Sequence, residues 1–216
     1  MATDPVPPIA ADAALRRLLE GNRRFVSQTL AAPNRSAARR LEVATGQAPF
    51  AAVLGCADSR MPIEVIFDQG IGDLFVVRVA GNIVTKENAA SLEFAVTTFG
   101  VPLVLILGHS RCGAVQATVE SIRSGVVLPG SLPNLTRAIQ PAVMQTLGLP
   151  GDPVENAGRA NVRLGVDQLT AYDSFLADRI RAGTVCVVGG YYDLETGRVE
   201  IITPAPPAGR SGPGDH

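Results

Sequence analysis

Residues 101–113, VPLVLILGHSRCG, combine an uninterrupted apolar run with a group of chemically reactive side chains. The run from Val101 to Gly108 has no polar side chain and has the length of a strand that is buried on both faces. It ends at residues 109–113, HSRCG, after which apolar residues have helical spacing from Val115 onward. A buried strand, a turn and a helix in this order indicate a parallel sheet, in which ligands bind beyond the carboxyl ends of the strands.

Other short, mostly apolar segments predict the rest of the sheet. They lie at Phe50–Gly55, Leu74–Ala80 and Thr184–Val188, and Val199–Thr203 follows a turn and would add an antiparallel edge strand. Segments with helical periodicity alternate with these strands, and the residues from Ala14 to Val26 form an amphipathic arm. We therefore predict an α/β fold with a mostly parallel central sheet, helices on both faces, an antiparallel edge strand and an N-terminal helical arm.

The length of 216 residues predicts a single domain made of one core and one arm. Within residues 1–216 we expect a loose N-terminus (1–12), a helical arm (13–49), an α/β core (50–203) and a flexible tail (204–216). The arm is rich in arginine, and we expect these side chains to lie on a solvated helix face because few aromatic residues are interleaved with them.

The composition argues against several classes of protein. With 19 basic and 20 acidic side chains the net charge is −1, whereas a dedicated nucleic-acid-binding protein would be strongly basic. No apolar run approaches the length of about 18 residues that a membrane span requires, and residues 1–12 do not have the pattern of a signal peptide. Three cysteines are too few for a disulfide scaffold in a chain of this length. We therefore expect a cytoplasmic protein that binds neither nucleic acid nor membranes.

Two predicted strand ends carry potential metal ligands. The first strand is followed by residues 56–60, CADSR, so Cys56 and Asp58 would lie near His109 and Cys112. Two thiolates and one imidazole suit a tetrahedral zinc site whose fourth position is left for water or for Asp58. Alternatively, the two cysteines are small buried residues, His109 is a hydrogen-bonded core histidine, and Asp58 caps a helix.

The segments CADSR (56–60), FVVR (75–78) and GHSRCG (108–113), together with Asn82, resemble those of beta-class carbonic anhydrases of the bacterial type. The resemblance extends over roughly residues 14–203. It implies one Zn²⁺ per chain, bound by Cys56, His109 and Cys112, with Asp58 as the fourth ligand in a closed form of the site. It further implies that Asp58 and Arg60 form the catalytic pair.

The resemblance also identifies candidate substrate-binding residues, namely Gln47, Phe75 and Gly113, of which Gln47 would act from a partner subunit. Phe94 occupies a position where the family usually has tyrosine, so the shape of the pocket can differ. Family members form homodimers or dimers of dimers with the pocket at the subunit interface, and the arm could be exchanged between subunits.

The function that follows is zinc-dependent, reversible hydration of carbon dioxide to bicarbonate and a proton, the reaction of a carbonate dehydratase. One alternative is hydrolysis of carbonyl sulfide or carbon disulfide on the same zinc site. Another is a non-catalytic zinc protein with a structural or redox role. With His109 on the metal, only His216 remains in the sequence, so we expect proton transfer to depend on Asp58, ordered water and external buffer.

Overall fold

A computed structural model describes residues 9–171 and 174–204 of the chain. Most of the predicted loose N-terminus and of the predicted tail, with His216, lies outside the described residues. Among the residues that the structure describes, no helix is both long enough and apolar enough to cross a membrane.

The centre of the fold is a five-stranded sheet with the order β2-β1-β3-β4-β5. Neighbouring strands are parallel except for β4 and β5, which are antiparallel. This arrangement confirms the predicted fold class, including the antiparallel edge strand. The strands are β1 (Ala51–Gly55), β2 (Leu74–Arg78), β3 (Leu103–His109), β4 (Cys186–Tyr192) and β5 (Val199–Ile201).

Helices connect the strands and cover both faces of the sheet. They are α1 (Ala11–Val26), α2 (Ala37–Glu42), α3 (Ile63–Ile66), α4 (Lys86–Phe99), α5 (Gly113–Ser124), α6 (Leu132–Thr146), α7 (Pro153–Thr170) and α8 (Ala177–Arg181), and short 3-10 turns occur at Val43–Thr45 and Ala80–Asn82.

Side chains alternate along β3 between two hydrophobic cores. Leu103, Leu105 and Leu107 pack with α1, α5 and α6 on one face of the sheet. Val104 and Ile106 pack with α4 and α7 on the other face. All residues of β3 are buried, as expected for a central parallel strand whose two faces are both covered by helices.

Two elements differ from the sequence prediction. Strand β4 continues past Val188 through two glycines to Tyr192. Glycine is needed at Gly189 because Val162 of α7 packs so closely that a Cβ there would lie 2.7 Å from its Cγ1. Helix α6 was not predicted; Pro141 lies inside it, and proline normally indicates a helix end.

Helix α1 packs on the sheet of its own chain instead of extending away from it. Its buried Asn22 donates hydrogen bonds to Ile66 O (3.2 Å) and Gly197 O (2.8 Å). The arginines of the arm do not all lie on a solvated face, since Arg24 pairs at 2.7 Å with the fully buried Asp68. Backbone amides from the segment after α1 also donate to this carboxylate. The buried charge is thereby compensated, and the arm is anchored to the core.

Candidate metal centre and active site

The ends of β1 and β3 bring the three predicted metal ligands together. Cys56 follows β1 directly and His109 ends β3, and these strands are adjacent and parallel, with Gly55 opposite Leu107. Cys112 immediately precedes α5. The ligand atoms of all three residues lie within 4.8 Å of one another, and all three residues are buried.

A tight turn makes His109 and Cys112 converge. Arg111 has a left-handed backbone (φ 54°), which reverses the chain between the two ligands. Ser110 fixes the turn to the end of β4, because its amide donates to Tyr192 O (2.9 Å) and its hydroxyl accepts from Leu194 N (2.9 Å). The hairpin of β4 and β5 thus supports the turn that carries two of the three predicted ligands.

The imidazole of His109 has one ring nitrogen engaged and one available. Nδ1 lies 2.9 Å from Ser110 O, and since a carbonyl only accepts, Nδ1 carries the hydrogen. Nε2 is buried and has no hydrogen-bond partner among the described residues. An orphaned imidazole nitrogen beside two thiols is the arrangement that a bound transition metal would satisfy.

The sulfur positions also fit zinc. Cys56 Sγ and Cys112 Sγ are 4.0 Å apart, and two thiolates at about 2.3 Å from a tetrahedral zinc would be separated by about 3.8 Å. The donor set of two sulfurs and one nitrogen is that of known zinc sites with an open fourth position. The residues present therefore fit this ion.

The two thiols share one negative charge in the absence of a cation. The hydrogen bond from Cys112 lowers the pKa of Cys56 to about 4, with further contributions from His109 and from the amides of Asp58 and Gly81. The Cys56 sulfur and burial raise the pKa of Cys112 instead, and this outweighs the α5 amides that act in the opposite direction. The positive end of α5 therefore does not suffice to ionise Cys112 without a metal.

The carboxylate of Asp58 lies beside this cluster and is held by Arg60. The guanidinium donates to both carboxylate oxygens at 2.9 and 2.7 Å, and the Arg60 amide donates at 2.9 Å. These contacts keep the pKa of Asp58 far below its usual range, so it is ionised. Asp58 Oδ2 is 4.0 Å from His109 Nε2. The structure thus pairs Asp58 with Arg60, adjacent to the cluster.

The structure reveals one contact at the site that sequence reasoning missed. Arg78, the last residue of β2, donates from Nε to Cys56 O (3.0 Å) and from Nη2 to Asp58 O (2.6 Å). In the sequence Arg78 is part of the FVVR segment, and no local pattern indicates main-chain carbonyls 20 and 22 residues earlier as its partners.

The three predicted substrate-binding residues lie in different places. Gly113 begins α5 and is adjacent to Cys112. Gln47 is exposed in the loop before β1. Phe75 pairs in register with Ala52 and packs in the core on the α4 face, whereas Cys56 belongs to the core on the other face. Within one chain, only Gly113 is brought to the metal cluster.

Aromatic side chains lie together at the outer edge of β2. The ring centroid of Phe75 is 6.3 Å from that of Phe94 and 6.1 Å from that of Phe99. Phe94 is 52% exposed, and β2 is an edge strand of the sheet. We call Phe75, Phe94 and Phe99 the aromatic edge.

Comparison with known proteins gives one consistent result. A sequence model described as "Carbonic anhydrase" matches residues 51–199. The chain is 39% identical over 194 residues to "Carbonic anhydrase 2" of Mycobacterium tuberculosis, covering 90% of this chain and 92% of that protein.

Solved structures also match this chain. A beta-carbonic anhydrase from Coccomyxa, in complex with acetazolamide, has a TM-score of 0.67 and 27% identity, with 87% of this chain and 86% of the other covered. One of two beta-carbonic anhydrases described as tetrameric, from Sordaria macrospora, has a TM-score of 0.68 and 26% identity, with coverages of 76% and 85%.

Proposed function

The chain belongs to the carbonic anhydrase family, in its beta class, and we propose on this basis that it catalyses the reversible hydration of carbon dioxide to bicarbonate and a proton. The enzyme class is carbonate dehydratase. The observation that carries the proposal is the buried group of Cys56, His109 and Cys112 with the ionised Asp58 beside it. A purely structural metal site would not require a carboxylate held by arginine at this position.

We propose that Cys56, His109 and Cys112 hold one Zn²⁺ per chain. When bound, zinc supplies a nucleophile near neutral pH by acidifying water and stabilises the negative charge that develops on bicarbonate. His109 presents Nε2 to the ion because Nδ1 is fixed on Ser110 O. Both sulfurs are buried, which keeps bulk water away from them.

Asp58 orients the attacking water in this proposal. Its carboxylate is ionised and therefore accepts a hydrogen bond from that water. Arg60 holds both carboxylate oxygens in a fixed plane, so the accepting lone pair keeps one direction. This pairing supports an arrangement in which Asp58 leaves the fourth position free, and Gly113 offers a backbone donor at the start of α5.

The proton that hydration produces needs a route to solvent. In the described part of the chain His109 is the only histidine, and its ring is committed to Ser110 O and to the metal cluster. We propose that the proton leaves through Asp58, ordered water and external buffer. A hydration rate that does not depend on buffer concentration would contradict this route.

We further propose that the active enzyme is a homodimer or a dimer of dimers. Gln47 and Phe75 lie at the surface of the single chain or on the other face from Cys56, so they would reach a metal centre only in a second copy. The exposed aromatic edge and the unpaired edge of β2 support an interface there. The cytoplasmic location expected from composition stays a prediction.

The deciding experiment is stopped-flow hydration of carbon dioxide by purified protein whose zinc content has been measured. We expect about one zinc per chain and a rate well above that of buffer. One zinc per chain with no rate above buffer would contradict the proposal. Carbonyl sulfide and carbon disulfide are assayed on the same sample, and faster turnover of either would assign the site to hydrolysis instead.

A further inference from the structure

We infer that Arg78 is a positioning residue for the hydration reaction, and that it acts by fixing the main chain between Cys56 and Asp58. The inference rests on the function proposed above. Arg78 would contact neither substrate nor metal. It would hold a metal ligand and the catalytic carboxylate at a fixed separation.

The segment that Arg78 holds has just left the sheet. Strand β1 ends at Gly55, whose carbonyl accepts from Val79 N (3.1 Å), and Ala57 N donates to Val79 O (3.2 Å) to continue the pairing with the β2 side. Arg78 adds two more links, to Cys56 O at 3.0 Å and to Asp58 O at 2.6 Å. Its planar guanidinium presents donors in a rigid fork that can span two carbonyls.

These two carbonyls lie on either side of Ala57, at the two ends of the segment from Cys56 to Asp58. The Cys56 sulfur belongs to the metal cluster, and the Asp58 side chain is the proposed acceptor. Asp58 O also accepts from Met61 N at 3.0 Å, so this peptide is held from two directions. Rotation of either peptide would move the carboxylate relative to the metal ligands, and a displacement of about 1 Å can cost about 100-fold in rate.

Arg60 cannot provide this constraint alone. Its side chain and its amide both bind the carboxylate from only two residues away, and its link to the turn after β3 is a longer hydrogen bond, from Nη2 to Arg111 O (3.4 Å). Arg78 reaches Cys56 and Asp58 from 22 and 20 residues away, on a neighbouring strand. It therefore links the segment to the sheet, while Arg60 sets the local orientation of the carboxylate.

The role of Arg78 is geometric. None of the ion pairs found among the described residues includes Arg78, and the two hydrogen bonds found for it go to main-chain carbonyls. A lysine would keep the positive charge and lose the fork. Comparison of Arg78→Lys with Arg78→Gln therefore separates charge from geometry.

The experiment compares zinc-loaded wild-type protein with R78K, R78Q and the control R35K. Arg35 also donates through Nε and Nη2 to one main-chain carbonyl, Gln69 O, away from the cluster. We measure kcat and KM for carbon dioxide, zinc affinity by competition with a chelator, and the visible spectrum of the cobalt-substituted proteins. The last two readouts do not depend on turnover.

We expect R78K and R78Q each to lower kcat and zinc affinity by about 10- to 100-fold, with little change in KM and with altered cobalt spectra. R35K should match the wild type. Unchanged kcat and affinity in both Arg78 variants would overturn the inference. Wild-type behaviour of R78K alone would also overturn it, because the role would then belong to the positive charge. An effect confined to KM would overturn it as well. An inactive wild-type protein would contradict the proposed function, whereas the affinity and the spectra would still test Arg78.

Discussion

The packing of α1 on the core can be tested by adding one methyl group. Gly21 lies inside α1, and a Cβ at this position would be 1.8 Å from Phe67 O and 2.7 Å from Phe67 C. Ordinary contacts between an aliphatic carbon and a carbonyl oxygen begin at about 3.3 Å. Because the obstacle is backbone, Gly21→Ala would force α1 away from the core by about 1.5 Å, the difference between these distances.

The size of the effect follows from what α1 would lose. The displacement weakens the three hydrogen bonds of Asn22 and the pairing of Arg24 with Asp68. If each contributes about 1 kcal/mol and loses about half of it, the cost is about 2 kcal/mol, and packing strain adds about 1–2 kcal/mol. The higher helix propensity of alanine offsets about 1 kcal/mol. We expect the free energy of unfolding to fall by about 2–3 kcal/mol.

Urea denaturation followed by circular dichroism, at one fixed protein concentration, measures this change. Gly46→Ala is the matched control, because its backbone is extended (φ 176°) and no atom lies within 4 Å of the added Cβ. The control should be unchanged or more stable by up to about 1 kcal/mol. A Gly21→Ala protein as stable as the wild type, or more stable, would refute the docking of α1 against Phe67.

Three further results are expected at the candidate metal centre. Asp58→Asn should lower kcat by about 100-fold or more with zinc content unchanged, as stopped-flow assays would show; activity near the wild-type level would exclude Asp58 as the acceptor. In metal-free protein at pH 7, ultraviolet thiolate absorbance should report one ionised cysteine that protonates as the pH falls through about 4. Cys56→Ala should abolish that signal, and its persistence would assign the thiolate elsewhere. Removal of zinc with a chelator should lower the melting temperature, since a ligand at 1,000 times its Kd stabilises the folded state by about 4 kcal/mol; an unchanged melting temperature would argue against a metal bound to the native state.

The parts of the fold that were predicted are those with a local signal. Strand β3 is predicted because seven consecutive buried positions leave a continuous apolar run. Cys56, His109 and Cys112 are predicted because reactive residues directly follow strand ends, where parallel strands present them on one edge. Both signals depend on a few adjacent residues, so a single sequence contains them.

The parts that were missed depend on contacts between distant segments. Glycine is needed at Gly189 in β4 because Val162 of α7 approaches the strand there, and nothing near Gly189 in the sequence indicates that contact. The fork of Arg78 and the pairing of Arg24 with the buried Asp68 are likewise long-range. An arginine within a helix gives no local sign of whether it faces water or a buried carboxylate.

The separation of the proposed metal ligands along the chain has a consequence for biosynthesis. Cys56 and Cys112 are 56 residues apart and meet only because β1 and β3 are neighbours in the sheet. During synthesis on the ribosome, Cys56 would emerge long before His109 and Cys112. A nascent chain would therefore offer at first only one of the three proposed ligands. A metal ion bound by all three residues would therefore be captured only after β3 has joined β1, late in the folding of the chain.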